Sequence, residues 1–170
     1  MADKELSGKV AAISGSGRNL AKAIALTLAA GGATVIVNAR SNKAEINALI
    51  GEIESAGGKA VAVMGDVSDP ATAKNFAAAA QKLGRLDILV NNAAIRKETP
   101  LEKITFEEWR EVNGVILDAA FLMVQACVPL IRKSGAGAIV NIGGMSAHGG
   151  SKHRVHVLTA KSALVGFSKA

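Results

Sequence analysis

The sequence predicts an α/β domain built on a doubly wound parallel sheet, and three observations predict it. Five short runs, "KVAAIS", "ATVIVNA", "KAVAVMG", "LDILVNN" and "GAIVNIG", are almost wholly apolar and show no polar alternation. Strands buried on both faces have this composition. Longer segments of helical period separate the runs, and a glycine-rich turn follows the first one. Strand and helix alternating in this way require right-handed crossovers, with helices on both faces of the sheet. A phosphate-type loop after the first strand predicts the strand order 3-2-1-4-5.

Each element has its own signals. In the first helix Leu20, Ile24 and Leu28 recur every four residues, which predicts a buried stripe; Ile46, Leu49, Ile50 and Ile53 form the stripe of the second. Gly31-Gly32, Gly57-Gly58 and Gly84 end the first three helices. Ser68-Asp69-Pro70 opens the third with a capping residue ahead of a proline. Thr105, with Glu108 three residues on, forms a capping box for a long fourth helix. The last helix starts near Val155 and is still running at Ala170, which predicts a single domain over 1–170 whose closing strands are absent. The fifth strand is then an exposed edge.

Composition narrows the function. Of 170 residues 49% are apolar but only 3% aromatic, and tyrosine is absent. The single cysteine, Cys127, excludes an intramolecular disulfide and predicts a reducing, cytoplasmic setting. The charged opening "MADKELSGKV" lacks a signal peptide's apolar core. The longest apolar run, Val115 to Ile131, is interrupted by Asp118 and Gln125 and predicts an internal helix, with no membrane partner. The formal charge of +6 is spread along the chain without aromatic interleaving. A solvated surface with a local anion site is expected, and no nucleic-acid partner.

The turn after the first strand is "SGSGRNLAKAIA", Ser14 to Ala25. Glycines there let the backbone approach a pyrophosphate at the helix's positive end. The Gly-x-Gly-x-x-Gly pattern fails, since Leu20 occupies its third position, and Gly15 with Gly17 also suits a plain tight turn.

Taken with "GDV" at Gly65–Val67, "NNAA" at Asn91–Ala94, "VN" at Val112–Asn113 and "AKSALVGFSKA" at Ala160–Ala170, this loop resembles the short-chain dehydrogenase/reductase family, over the whole chain and in order. The resemblance implies a Rossmann-like fold and a nicotinamide cofactor. It places the family's three loop glycines at Gly15, Asn19 and Ala21. Asparagine tolerates positive φ better than other non-glycine residues, and alanine stays small, so the loop is altered but usable. Gly15, Gly17, Arg18, Asn19 and Leu20 are thus candidate cofactor contacts. The resemblance also puts Asp66 and Val67 beside the adenine, and Asn92, Ala93 and Ala94 on the ribose side.

The second strand discriminates between cofactors. Ala39 stands where NAD-preferring relatives carry an acid, and Arg40 follows it. Arg40 and Arg18 can grip a 2′-phosphate, which predicts NADP over NAD.

The family's proton relay resembles Asn, Ser, Tyr and Lys. Asn113 matches the asparagine, and Lys161 matches the lysine that binds the nicotinamide ribose from the first turn of its helix. The tyrosine belongs at Val157 and the serine at Gly144, so half the relay is missing. His148, His153 and His156 lie nearby in sequence, and His156 is the candidate substitute proton donor. The alternative is that all three are surface histidines of a Gly-rich loop. They have no carboxylate or thiol close in sequence to complete a metal site. The expected function is an NADP(H)-dependent oxidoreductase acting on a carbonyl, 3-oxoacyl compounds included, or on a secondary alcohol. The alternative is a catalytically silent NADP(H)-binding protein. The resemblance further implies a homo-oligomer, dimer or tetramer, packed through the fourth and last helices.

Overall fold

In a computed structural model of residues 4–170, five parallel strands form one sheet in the order predicted, 3-2-1-4-5. Residues 1–3, the start of the charged opening segment, lie outside the described residues. The strands are β1 (Val10–Ile13), β2 (Thr34–Ala39), β3 (Lys59–Met64), β4 (Ile88–Asn91) and β5 (Ala138–Asn141). In register, Val10 pairs with Thr34, Ala11 with Ile88, and Asn91 with Asn141. The ends of β1, β4 and β5 therefore open side by side.

The two-residue period of the central strand divides the core. Val10 and Ala12 face α3 (Pro70–Lys82) and α5 (Ala119–Lys133), packing with Phe76, Met123 and Cys127. Ala11 and Ile13 face α1 (Asn19–Ala30) and α2 (Lys43–Ser55), packing with Ala21, Ala25, Ile46 and Leu49. A third cluster joins α4 (Phe106–Asn113) to α7 (Val155–Lys169) through Val112, Ile116, Val157, Ala160 and Leu164. A four-residue α6 (Ser146–Gly149) precedes α7. The long apolar segment is an internal helix, as expected. By length and composition Phe106–Lys133 could cross a membrane, yet Met123, Cys127 and Ile131 are core residues.

The predicted caps are present. The Asp69 carboxylate accepts from Ala71 N at 2.8 Å with Pro70 first in α3, and Thr105 Oγ1 accepts from Glu108 N at 3.2 Å.

Three local expectations need correction. The stripe that α1 buries is Ala21, Ala25 and Ala29, one residue on from the predicted Leu20, Ile24 and Leu28; Leu20 is 56% exposed. Alanines let the helix lie close to the sheet beside the glycine loop, where leucines would hold it away. The long fourth helix is also not uniform. A π-helical stretch, Gly114–Asp118, separates α4 from α5 directly after Asn113, and such bulges recur at functional sites. Finally, "GAIVNIG" has the composition of a doubly buried strand, but among the described residues β5 pairs only with β4, and Ile139 and Val140 are exposed.

Candidate functional site at the strand ends

The glycine loop is held from three sides. Ser16 N donates to Asn38 O at 2.8 Å, Asn38 N donates to Ser16 Oγ at 2.7 Å, and Gly15 N donates to Asn38 Oδ1 at 2.9 Å. The Asn38 amide reaches on to the carbonyls of Val63 and Gly65. Ser14 Oγ accepts from Asn92 N and Ala93 N, while Asn92 Nδ2 spans the carbonyls of Ser14 and Gly15. Gly15 has φ +61, and a Cβ there would sit 3.1 Å from Ala93 Cα. Asn19 has φ +53, the left-handed conformation expected where the resemblance puts a glycine. Ala21, the third loop position, is buried against the sheet.

This geometry suits a dinucleotide. Arg18 caps α1 without a side-chain cap bond, and the first turn carries no acid, so N–H groups remain for an anion. The loop is a cradle that a Cβ at Gly15 would fill. At Gly17 an added Cβ would fall 2.9 Å from Glu45 Oε2, the end of a side chain that can move aside.

Arg40 is exposed at the end of β2, its Nη1 3.9 Å from Asp66 Oδ2. The other Asp66 oxygen accepts from Ser68 N and Ser68 Oγ, so this carboxylate orders the turn into α3 while facing Arg40. Val67 is buried beneath, and Ala94 is exposed on the loop leaving β4.

The other half of the crevice is built on β5 and α7. Lys161 is buried, and its Nζ donates to the Ile142 carbonyl just past β5. It stands in the second turn of α7 rather than the first, six residues after the helix starts at Val155, the start that was predicted. Burial first, and the Arg96 charge second, push its ammonium below the usual lysine range. The side chain of Asn113 donates to Trp109 O at 2.8 Å, at the entry to the π segment. Gly144 lies beside Lys161, and a Cβ there would make ordinary contact, 3.9 Å from Lys161 Cγ and from Ser146 Oγ. Val157 packs in the α4–α7 cluster.

The histidines divide. His148 and His153 are exposed, and His153 has φ +58. His156 is no surface residue: it is wholly buried within α7, with Nε2 3.0 Å from Glu108 Oε1. Its Nδ1 is buried without a partner among the described residues. Bonds from Thr99 and His156, with Lys97 nearby, outweigh desolvation and hold the Glu108 carboxyl below its ordinary range, Thr99 contributing most. The imidazole thus joins two helices, which its place in the first turn of α7 and a carboxylate 48 residues away decide.

The loops after β4 and β5 meet where Thr99 N donates to His153 O at 2.7 Å. Thr99, Leu101, Lys152 and His153 line a cleft of about 290 Å³ there. A larger hollow of about 430 Å³ lies between β3 and α3, away from the glycine loop. Among the described residues no group of three or more His, Cys, Asp or Glu converges to hold a metal ion.

Four contributors escaped the sequence reading: Asn38, Ser14, Glu108 as a histidine partner, and Arg96. Asn38 had a signal, a lone amide inside the apolar run "TVIVNA". The other three are defined only by contacts between distant segments.

Residues 9–170 match the short chain dehydrogenase family. The chain belongs to that family. Among its relatives, the 3-oxoacyl-[acyl-carrier-protein] reductase of Synechocystis sp. is 33% identical over 96% of this chain and 67% of its own length. The hydroxyacyl-CoA dehydrogenase ChsB1 of Mycobacterium tuberculosis is 44% identical over 71% of this chain and 39% of its own. A metagenomic short-chain oxidoreductase, solved in complex with NADP, superposes with a TM-score of 0.91 at 32% identity, covering 96% of this chain and 74% of that one. As a short chain dehydrogenase, the chain has the parallel sheet and flanking helices of an oxidoreductase family that binds nicotinamide cofactors. It spans between a third and two thirds of the length of these two curated relatives.

Proposed function

We propose that this chain is the cofactor-binding part of an NADP(H)-dependent oxidoreductase that interconverts a carbonyl compound and a secondary alcohol, with 3-oxoacyl compounds among the candidate substrates. The observation that carries the reading is the left-handed pair Gly15 and Asn19, which shapes a cradle at the uncapped start of α1. Gly15, Gly17, Arg18, Asn19 and Leu20 border the pyrophosphate side of that cradle. Asp66 and Val67 border the adenine side, and Asn92, Ala93 and Ala94 the ribose side. The bound nicotinamide would supply the hydride chemistry.

Arg40 and Arg18 support the choice of NADP(H). Both are exposed beside the loop, and no acid stands at Ala39. Replacing Arg40 with Asp is expected to weaken NADP(H) binding by about 1.5–3 kcal/mol, the range for hydrogen bonds to charged groups. Fluorescence titration of NADPH and NADH against both proteins checks this, and equal affinity for the two cofactors before and after the change refutes it.

Protonation of the substrate oxygen has no phenol to draw on. Lys161 and Asn113 are the relay positions retained, and solvent or another donor completes the transfer. His156 is the candidate group, though its Nε2 is engaged by Glu108. Val157 and Gly144 favour a second reading, a silent NADP(H)-binding protein. Hydride transfer separates the two: NADPH oxidation is expected with ketones or 3-oxoacyl thioesters over a range of pH, and binding without turnover on any of them supports the silent reading. A reducing cytoplasm is the setting proposed from the single cysteine, Cys127, whose thiol burial pushes up to about 11 and so keeps unreactive. We place a homo-oligomer contact on α5 and α7, as the resemblance implies.

A further inference from the structure

We propose that the hollow between β3 and α3 is a docking groove for an extended peptide strand with an acidic C-terminal end, which adds to the free edge of β3.

The backbone comes first. β3 is the outer strand of the sheet, and among the described residues it pairs only with β2. Its other edge therefore carries N–H and C=O groups with no strand beside them. Residues 61–64 of β3 all line the hollow of about 430 Å³. Side chains alternate along a strand: Val61 and Val63 join the cluster on the α3 side, and Ala60 and Met64 the cluster on the α1 and α2 side. Consecutive residues from both faces border one hollow only where the strand's edge is its wall. The hollow thus offers backbone hydrogen bonds as well as apolar contact.

Shape comes second. α3 buries Thr72, Ala73, Phe76 and Ala80, and a second stripe, Asn75, Ala78, Ala79 and Lys82, lines the hollow with Leu83. Alanine at the two middle positions keeps the helix from filling the space beside the strand. A strand laid along β3 sets alternate side chains onto these alanines and Leu83. Main-chain bonds then give affinity, and the side-chain positions give register.

Charge selects the occupant. α3 connects two parallel strands and so runs against them, which brings Lys82 in its last turn to the end of the groove where β3 begins. Lys59, the first residue of β3, is exposed at that same end. Neither lysine has a carboxylate partner among the described residues, and α3 contains no acid. A strand added antiparallel to β3 brings its C-terminal end to these two ammonium groups. A second copy of this chain fits less well. Two α3 helices would bring lysines together without an acid, and Asp66, past the far end of β3, is already engaged by Arg40 and Ser68.

The probe is a capped, fluorescein-labelled peptide of alternating valine and threonine that ends in two glutamates. One control ends in two lysines; another carries N-methyl groups on alternate residues and cannot extend a sheet. Fluorescence polarisation measures each against the parent chain, Lys82→Glu and Ala78→Trp. Ala78 and Lys82 are both exposed, so these changes leave the core untouched. The acidic peptide is expected to bind about tenfold more tightly than the basic one, since exposed charge pairs are gained in the first and opposed in the second. Lys82→Glu should abolish that preference, and Ala78→Trp should lose both peptides by filling the groove. Hydrogen exchange of residues 60–64 should slow when the acidic peptide is bound. No binding of the acidic peptide, equal affinity for acidic and basic ends, or undiminished binding of the N-methylated peptide overturns the proposal. So does protection of residues 60–64 that grows with protein concentration without peptide, which makes a second copy the occupant.

Discussion

Replacing Lys161 with Met is expected to weaken NADP(H) binding by about 1.5–3 kcal/mol, roughly ten- to a hundredfold, and to reduce turnover more than any histidine change. The ammonium has three donors, and the Ile142 carbonyl takes one, leaving two for ribose hydroxyls. Methionine keeps the buried stem and removes every donor, so the loss reads the head group rather than packing. His156→Gln should leave cofactor binding intact, because the imidazole faces Glu108. Titration and single-turnover assays measure the two effects separately. A Met variant with undiminished affinity refutes the role of Lys161, and a turnover loss confined to His156→Gln identifies the histidine as the proton donor. The pH dependence has a definite sign. With its pKa lowered in the folded chain, Lys161 disfavours the folded state wherever the amine is charged. That penalty is full below the folded pKa and disappears as pH rises from there to the ordinary lysine value. The Met variant should lack this alkaline gain in stability.

Replacing Asp87 with Ala is expected to destabilise the fold by about 2–3 kcal/mol. This carboxylate is buried at the opposite end of the sheet, between β1 and β4. It accepts from Val10 N at 2.9 Å and from Arg85 Nε and Nη2 at 2.8 and 2.6 Å, with Lys9 Nζ at 3.2 Å. Removing it strands a buried N–H, while Arg85 and Lys9, about a third exposed, can turn to water. Asp87→Asn keeps an acceptor for Val10 and should cost less. Burial by itself would raise the Asp87 pKa, but the Arg85 fork, Val10 N–H and Lys9 together hold it below the ordinary value. Its contribution is therefore complete above the unfolded carboxyl's pKa of about 3.9 and is lost as pH falls through the lower folded value. Urea midpoints from pH 7 to pH 3 check this. A variant that unfolds at the parent's midpoint at pH 7 would show that the pair contributes nothing.

Much of the fold was legible because its signals are local. Apolar runs without alternation specify strands buried on two faces, and glycines past each helix specify where the chain must turn left-handed. Asn19 shows how far such reasoning reaches: the resemblance put a loop glycine there, asparagine tolerates the positive φ that a glycine would adopt, and the backbone has it. Leu20 shows where it stops. Its period was helical, but which stripe faces the sheet depends on how closely a helix must approach the strands, and the alanines permit the closer approach.

By itself the sequence determined the strand and helix alternation and the helix caps, which follow from residues within a few positions of one another; with the family resemblance it also gave the strand order, the left-handed positions at Gly15 and Asn19, and Lys161 at the strand ends. Only the tertiary structure decided what those residues meet. It paired His156 with Glu108 across two helices, made Asn38 the brace of the glycine loop, and turned the Lys161 ammonium onto the Ile142 carbonyl past β5. Such partners are chosen where parallel crossovers place two loops at one sheet end, so their electrostatics depend on distance through space rather than spacing along the chain.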